Sequence, residues 1–196
     1  MPETPDRPHR TGLFAIDLMI AVCAIIVSAA SLWVALRADQ TQEQLLKSSV
    51  WPHVEFDSSD ATPTGAKQLV FEVRNDGVGP AIVRSVAVSY NGHYYATLRE
   101  LLKACCNIEV PRNIFASTLQ NRVIAARDVI EFIEMPADKV DEAEYEQILP
   151  HRFNIELQMC YCSVLGDCWF FDTLRGPAEP IAVKRCPPAQ QPQYQT

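Results

Sequence analysis

The most prominent feature of the hydrophobic pattern is a stretch of 19 residues without a charge, residues 18–36. At roughly 1.5 Å of rise per residue, a helix of this length spans about 28 Å, close to the hydrocarbon thickness of a bilayer. The pattern predicts a transmembrane helix over residues 11–36, preceded by a short N-terminal tail, residues 1–10. Residues 37–49 contain good helix formers and neither Gly nor Pro, so we expect them to continue the helix as a stalk.

A cleaved signal peptide is the alternative for this segment. Ser28 and Ala30 supply the small residues that precede a cleavage site. However, the apolar run continues through Leu36, beyond that site, and the N-terminal tail carries Glu3 and Asp6. Because the apolar region of a signal peptide ends at its cleavage site, we favour an uncleaved anchor.

From residue 50 onward the pattern alternates with a period of two, which is typical of strands with one buried face. The clearest case is residues 153–162, where Phe153 and every second residue after it are apolar. Five further apolar runs share this character: 54–56, 68–74, 82–90, 128–135 and 169–173. We therefore predict a mainly β fold: an N-terminal transmembrane helix and an antiparallel β-sandwich over residues 50–186, with two short helices.

Two helical signals interrupt the strands. Thr97 and Glu100 form a capping box, in which each side chain bonds a free backbone N–H of the first helical turn. Four residues behind it share one helical face: Leu98, Leu101, Leu102 and Cys105. A second, acidic helix is predicted over residues 138–149, ended by Pro150. The tail, residues 187–196, is rich in Pro and Gln, and we expect it to be disordered.

The charge of the chain bears on its partners. Residues 51–196 contain 13 Lys and Arg against 19 Asp and Glu, a net charge of −6. This sign argues against nucleic acid and anionic lipid as main ligands, and is compatible with a cationic ligand or with ordinary solubility. The expected partners are the lipid bilayer, through the anchor, and a protein partner or a second copy. Ala24 and Ser28 have the spacing that lets membrane helices pack closely.

Cysteines decide the expected orientation, because basic residues flank the apolar run almost equally on both sides. Cys23 lies in the anchor, and the other six cysteines are disulfide candidates: Cys105, Cys106, Cys160, Cys162, Cys168 and Cys186. Six thiols in a domain of this size are typical of an oxidising compartment. We therefore expect the N-terminus inside the cell and the domain outside.

The alternation also predicts which face of the sheet each cysteine of this region occupies. It places Cys160 and Cys162 on the face opposite Phe153, and a turn near Leu165 then brings Cys162 opposite Cys168. We expect structural disulfides, one of them between Cys162 and Cys168. Cys105 is predicted to face the core, which leaves Cys106 better placed to reach Cys160 or Cys186. The alternatives are a Cu(I) or Zn site formed by Cys160, Cys162 and Cys168, or a redox-active thiol pair. No cofactor is expected.

Residues 75–81 (NDGVGPA) join two predicted strands. A phosphate-binding glycine loop is followed by a helix, whereas a strand follows here, so we interpret the segment as a turn with Gly77 at positive φ. With Trp51-Pro52 beyond the stalk, this segment resembles uncharacterised bacterial single-pass inner-membrane proteins that carry an immunoglobulin-like sandwich. The resemblance covers residues 11–90. It implies a bacterial inner membrane and a periplasmic domain, and carries over no catalytic residue.

Catalytic signals are weak. None of the histidines His53, His93 and His151 stands beside a Ser or Cys nucleophile motif, and His9 lies in the N-terminal tail. The glutamates of the second helix, Glu142, Glu144 and Glu146, indicate a solvated helix face. We therefore expect a domain that is not an enzyme and that acts by binding or scaffolding.

Overall fold

A computed structural model describes residues 10–111, 114–175 and 179–195, and the chain forms two compact units, Met1–Leu46 and Lys47–Thr196. Helix α1, Arg10–Ser49, runs without interruption through the expected stalk. Within the described residues, α1 is long and apolar enough to cross a membrane. The tail expected over residues 1–10 lies outside the described residues except for Arg10.

The second unit is built on two antiparallel sheets. Its strands are β1 Val54–Ala61, β2 Lys67–Asn75, β3 Ala81–Tyr90, β4 His93–Tyr95, β5 Phe115–Ala116, β6 Val123–Ile124, β7 Val129–Pro136, β8 Ile155–Cys162, β9 Cys168–Asp172 and β10 Ile181–Val183. One sheet has the order β1-β2-β7-β5. The other has the order β10-β9-β8-β3-β4, with β6 also paired to β3. The six predicted strands are present, and the four that the sequence missed have two or three residues each.

One predicted strand begins later than expected. Phe153 lies in a 3-10 helix, Leu149–Asn154, and 74% of its surface is exposed. Its ring stacks under the guanidinium of Arg152, 4.4 Å away. The prediction that Phe153 begins the buried face of β8 is therefore wrong, because this helix carries the chain past Pro150 and the strand begins only at Ile155.

Both sheets bury one face in a shared core. The four-stranded sheet contributes Leu69, Phe71, Val73, Phe132 and Ile133, and the six-stranded sheet contributes Val83, Val86, Val88, Leu157, Met159 and Tyr161. The hydroxyl of Tyr161 accepts a hydrogen bond of 3.2 Å from the backbone N–H of Val54, which links the two sheets directly. The opposite face of the six-stranded sheet, called here the outer face, is left for other contacts.

The two expected helices are α2, Leu98–Cys106, and α3, Glu142–Ile148. Thr97 caps α2 by accepting from the N–H of Glu100, and the carboxylate of Glu100 accepts from the N–H of Ala96. Helix α3 is shorter than predicted, since Asp141 caps it by accepting from Ala143 N. The end of α3 covers the end of α2, where the Gln147 amide donates to the Cys106 carbonyl at 2.6 Å.

Candidate functional site

The C-terminal segment, residues 184–195, forms a strap across the outer face of the six-stranded sheet. One end is attached by the disulfide between Cys186 and Cys160 of β8. At the other end, Tyr194 is 1% exposed and donates its N–H to the carbonyl of Val86 at 3.0 Å. The Gln193 amide oxygen accepts from the N–H of Val86 at 3.1 Å. The strap therefore forms hydrogen bonds with the part of the β3 edge that lies between β6 and β4.

For the described residues 187–195, this finding corrects the expectation that the tail, residues 187–196, is disordered. Proline and glutamine have little to bury, but Tyr194 packs its ring into the core, 6.3 Å from Phe132. The backbone of Gln195 also pairs with the segment before α2, donating to the Ala96 carbonyl at 2.7 Å. One aromatic anchor and the edge of β3 thus order a segment whose composition indicates disorder.

A cleft of about 250 Å³ lies between the strap and the outer face. Its floor comes from three strands and its cover from the strap: Ser85, Ala87, Gln158, Phe170 and Asp172 below, and Pro187, Pro188, Ala189, Gln190, Gln191 and Gln193 above. Among the described residues of this lining, Asp172 is the only one with an ionisable side chain, and it is 9% exposed. The amide of Gln158 donates to its carboxylate at 3.1 Å, and the N–H of Leu174 donates to its other oxygen at 3.1 Å.

Two carboxylates lie near the Tyr94 phenol on the outer face, those of Asp172 and Glu156. Burial raises the pKa of the Tyr94 phenol, and the nearby carboxylates of Asp172 and Glu156 raise it further. Glu156 itself accepts a hydrogen bond of 3.1 Å from the hydroxyl of Ser89.

Two disulfides lie at one end of the outer face. Cys162 is bonded to Cys168 directly across the β8–β9 hairpin, with their Cα atoms 4.0 Å apart, and this is the pair expected from the alternation. Cys160 is bonded to Cys186, a residue 26 positions later that the sequence offered only as one of several partners. The Cys162 and Cys186 sulfurs, from different disulfides, lie 3.7 Å apart.

The third disulfide joins the neighbours Cys105 and Cys106. The expectation that Cys106 reaches Cys160 or Cys186 is therefore wrong, whereas Cys105 packs against the core as expected. Cys106 is 4% exposed and Cys105 is only partly buried. The reason is tertiary, because α3 covers the last residue of α2 through the bond from Gln147.

The expected metal ligands are only partly brought together. The three cysteine sulfurs that lie within 4.8 Å of one another belong to Cys162, Cys168 and Cys186, so Cys186 replaces Cys160 in the predicted set. All three are engaged in disulfides. Since metal ions bind the thiolate, this cluster becomes a ligand set only after reduction.

The glycine loop, residues 75–81, has a structural role. Gly77 is not at positive φ, which corrects the sequence interpretation; the described glycines with that conformation are Gly65, Gly92 and Gly166. Instead, a Cβ at Gly77 would overlap the backbone of Trp51 and His53, and one at Gly79 would overlap Val50. Close packing of two backbones therefore requires these glycines, and β3 follows the loop as expected.

The described histidines lie at different places in the domain. His53 Nε2 lies 3.3 Å from Glu55 Oε1, and His151 Nδ1 lies 2.7 Å from the Tyr90 hydroxyl. His93 is exposed on β4, and His9 lies outside the described residues. On the second helix, Glu146 pairs with Lys67 at 3.2 Å.

The strap and its cleft are the features that sequence reasoning missed. The single available signal was Tyr194, an aromatic residue within a polar tail. Comparison of the chain with protein-family models, with curated proteins and with solved structures found no match.

Proposed function

We propose that this protein is a membrane-anchored binding protein whose domain lies outside the cytoplasm and holds a small cationic group in the cleft beneath the strap, without catalysis. The observation that carries the proposal is the cleft itself: a concave space between the strap and a sheet face, with the buried carboxylate of Asp172 in its floor. Binding sites are typically concave, with few polar groups placed to orient the ligand.

The chemistry of the lining supports a cation. A carboxylate that is removed from water attracts an ammonium or guanidinium group more strongly than an exposed carboxylate does. The strap adds the side-chain amides of Gln190 and Gln191, which supply both donors and acceptors. Phe170 offers an apolar wall for the carbon chain of such a ligand.

The location outside the cytoplasm rests on two observations. Helix α1 is long and apolar enough to serve as a single anchor, and the six cysteines of the domain form three disulfides. Disulfides persist in oxidising compartments. The resemblance of residues 11–90 adds a bacterial inner membrane, a periplasmic domain and an immunoglobulin-like arrangement of the sandwich, all of which belong to this proposal.

The binding proposal is tested with the full chain in detergent, titrated with putrescine and agmatine in a calorimeter. We expect binding that weakens at least about tenfold in Asp172→Asn, which keeps the shape of the side chain and removes its charge. Asp138→Asn, which removes an exposed carboxylate elsewhere, is the control and keeps the affinity. Equal affinities in the two variants, or no binding by the unchanged chain, would contradict the proposal.

The orientation is tested with two fusions after Thr196. Alkaline phosphatase, which folds only in an oxidising compartment, should be active there. A fluorescent protein that matures only in the cytoplasm should stay dark. The opposite pair of results would refute both the orientation and the cellular relevance of the disulfides.

A second candidate function, thiol or metal handling, is favoured by one observation, the cluster of the Cys162, Cys168 and Cys186 sulfurs. The two candidates differ in a simple measurement on protein purified in air. A binding domain with three structural disulfides has one free thiol per chain, that of Cys23. A thiol- or metal-handling protein that keeps this cluster reduced in air has further reactive thiols or bound Cu or Zn in stoichiometric amount.

A further inference from the structure

Two separate disulfides of this domain are in atomic contact. The Cys162 sulfur lies 3.7 Å from the Cys186 sulfur, although each is bonded to another partner. Disulfide exchange requires a thiolate to approach a sulfur of an existing disulfide. If either bond opens, the freed sulfur of Cys162 or Cys186 is already beside the other bond.

Access to this group of sulfurs differs from one cysteine to the next. Cys160, Cys162 and Cys168 are buried, at 0%, 5% and 7% exposure, whereas Cys186 on the strap is partly exposed. Two exposed cations, Lys184 and Arg185, directly precede Cys186. Positive charges at this position attract an incoming thiolate. Cys186 is therefore the sulfur that an external thiol reaches first.

We propose that Cys160, Cys162, Cys168 and Cys186 form one thiol–disulfide exchange centre, which is reduced by a dithiol entering at Cys186. This activity goes beyond ligand binding in the cleft and does not depend on it. Its substrate class is a dithiol, either on a partner protein or on a small molecule.

The first reaction transfers two electrons into the centre. A thiolate of the dithiol attacks Cys186 Sγ, the bond to Cys160 breaks, and Cys160 leaves as a thiolate that takes up a proton. The second thiol of the reductant loses its proton and attacks the other sulfur of the reductant, which is bonded to Cys186 in the mixed disulfide. The reductant leaves as a cyclic or intramolecular disulfide, and Cys186 is released as a thiolate.

The second reaction moves the remaining disulfide. The Cys186 thiolate attacks Cys162 Sγ across the 3.7 Å contact, the Cys162–Cys168 bond breaks, and Cys168 leaves as a thiolate that takes up a proton. No further electrons are consumed in this step. The two-electron-reduced chain therefore contains a disulfide between Cys162 and Cys186 that is absent from the fully oxidised chain.

The test uses the unaltered full chain in detergent, treated with dithiothreitol at less than one equivalent per chain. The reaction is stopped with acid, free thiols are alkylated, and disulfide-linked peptides are identified by mass spectrometry. We expect the linked pair Cys162–Cys186 together with alkylated Cys160 and Cys168. If only the Cys160–Cys186 and Cys162–Cys168 pairs occur at every degree of reduction, the proposal is wrong.

A variant provides an independent measurement. In Cys160→Ser, the thiol of Cys186 has no partner, and exchange with Cys162–Cys168 should spread the free thiol over Cys186 and Cys168, with at least about a tenth of the label on Cys168. The matched control is Cys105→Ser, in which the label stays on Cys106 within the domain. A Cys160→Ser chain labelled at Cys186 with less than that share on Cys168 would overturn the exchange step. The experiment on the unaltered chain decides the matter if this variant does not fold.

Discussion

Among single residues, Asn75 makes the densest set of hydrogen bonds described for this domain. Its side chain is fully buried at the end of β2. The amide oxygen accepts from the N–H groups of His53 and Gly77, both at 3.1 Å. The amide nitrogen donates to three carbonyls, those of Gly79, Ile124 and Ala125, at 2.8–3.1 Å. One side chain therefore joins three loops at the end of the domain where the chain enters.

Replacing Asn75 should destabilise the domain strongly. Asn75→Ala leaves buried N–H and carbonyl groups without partners, and we expect a loss of about 2–4 kcal/mol in the free energy of unfolding. Asn75→Asp keeps the two acceptor contacts but loses the donors, so it should also be destabilising. Urea unfolding measures both, with Asn154→Ala, an exposed site, as the control. A cost below about 1 kcal/mol for Asn75→Ala would contradict the role assigned to this residue.

The buried phenol of Tyr161 should make the unfolding free energy of the domain depend on pH in the alkaline range. Burial raises the pKa of its phenol to about 12, and the hydrogen bond from Val54 N lowers it only in part. The native state thus favours the neutral phenol. Its contribution is complete below pH 10, the ordinary pKa of an unfolded tyrosine, and is lost as the pH rises from 10 to 12.

We therefore expect this phenol to account for a loss of about 2–3 kcal/mol in unfolding free energy by pH 12. Urea unfolding at pH 9 and pH 11.5 measures the loss, which should be smaller in Tyr161→Phe. Burial also raises the pKa of Tyr194, which acts in the same direction and remains in that variant. The same loss in both proteins would show that Tyr161 does not cause it.

At the scale of elements, the strap depends on the anchor at its C-terminal end. Tyr194→Ala removes a ring from the core and should lower the unfolding free energy by about 3–5 kcal/mol. Tyr194→Phe is the matched control. Its hydroxyl is buried and has no hydrogen-bond partner among the described residues, so its removal should cost less than about 1 kcal/mol or be stabilising. Thermal unfolding and proteolysis of the strap distinguish the two variants, and equal stability would exclude the ring as the anchor.

At the scale of the whole molecule, the disulfides should contribute according to the loops they close. The Cys160–Cys186 bond spans 26 positions and the Cys162–Cys168 bond spans six. Chain entropy then predicts losses of about 3.5 and about 2.4 kcal/mol for the corresponding double serine variants. Full reduction should lower the melting temperature and leave the domain folded at 25 °C, because both sheets share an apolar core. Unfolding on reduction at 25 °C would show that the core alone is insufficient.

The amino-acid sequence by itself determined the parts of this protein that depend on neighbouring residues. The uncharged run predicts helix α1, alternation predicts the six longer strands, and the Thr97 capping box predicts the start of α2. The Cys162–Cys168 pair belongs with them, because a hairpin register follows from alternation and a short turn. Each of these features repeats or closes within a few residues, so its signal is present in the local sequence.

Only the tertiary structure decided the candidate site. The strap exists because Tyr194 pairs with Val86, 108 positions earlier, and because Cys186 bonds Cys160. Asn75 likewise bonds to carbonyls about 50 positions away. Composition predicts a disordered tail, since proline and glutamine carry little apolar surface. A strand edge and a space in the core, both formed by distant parts of the chain, supply the contacts that offset the entropy of ordering it.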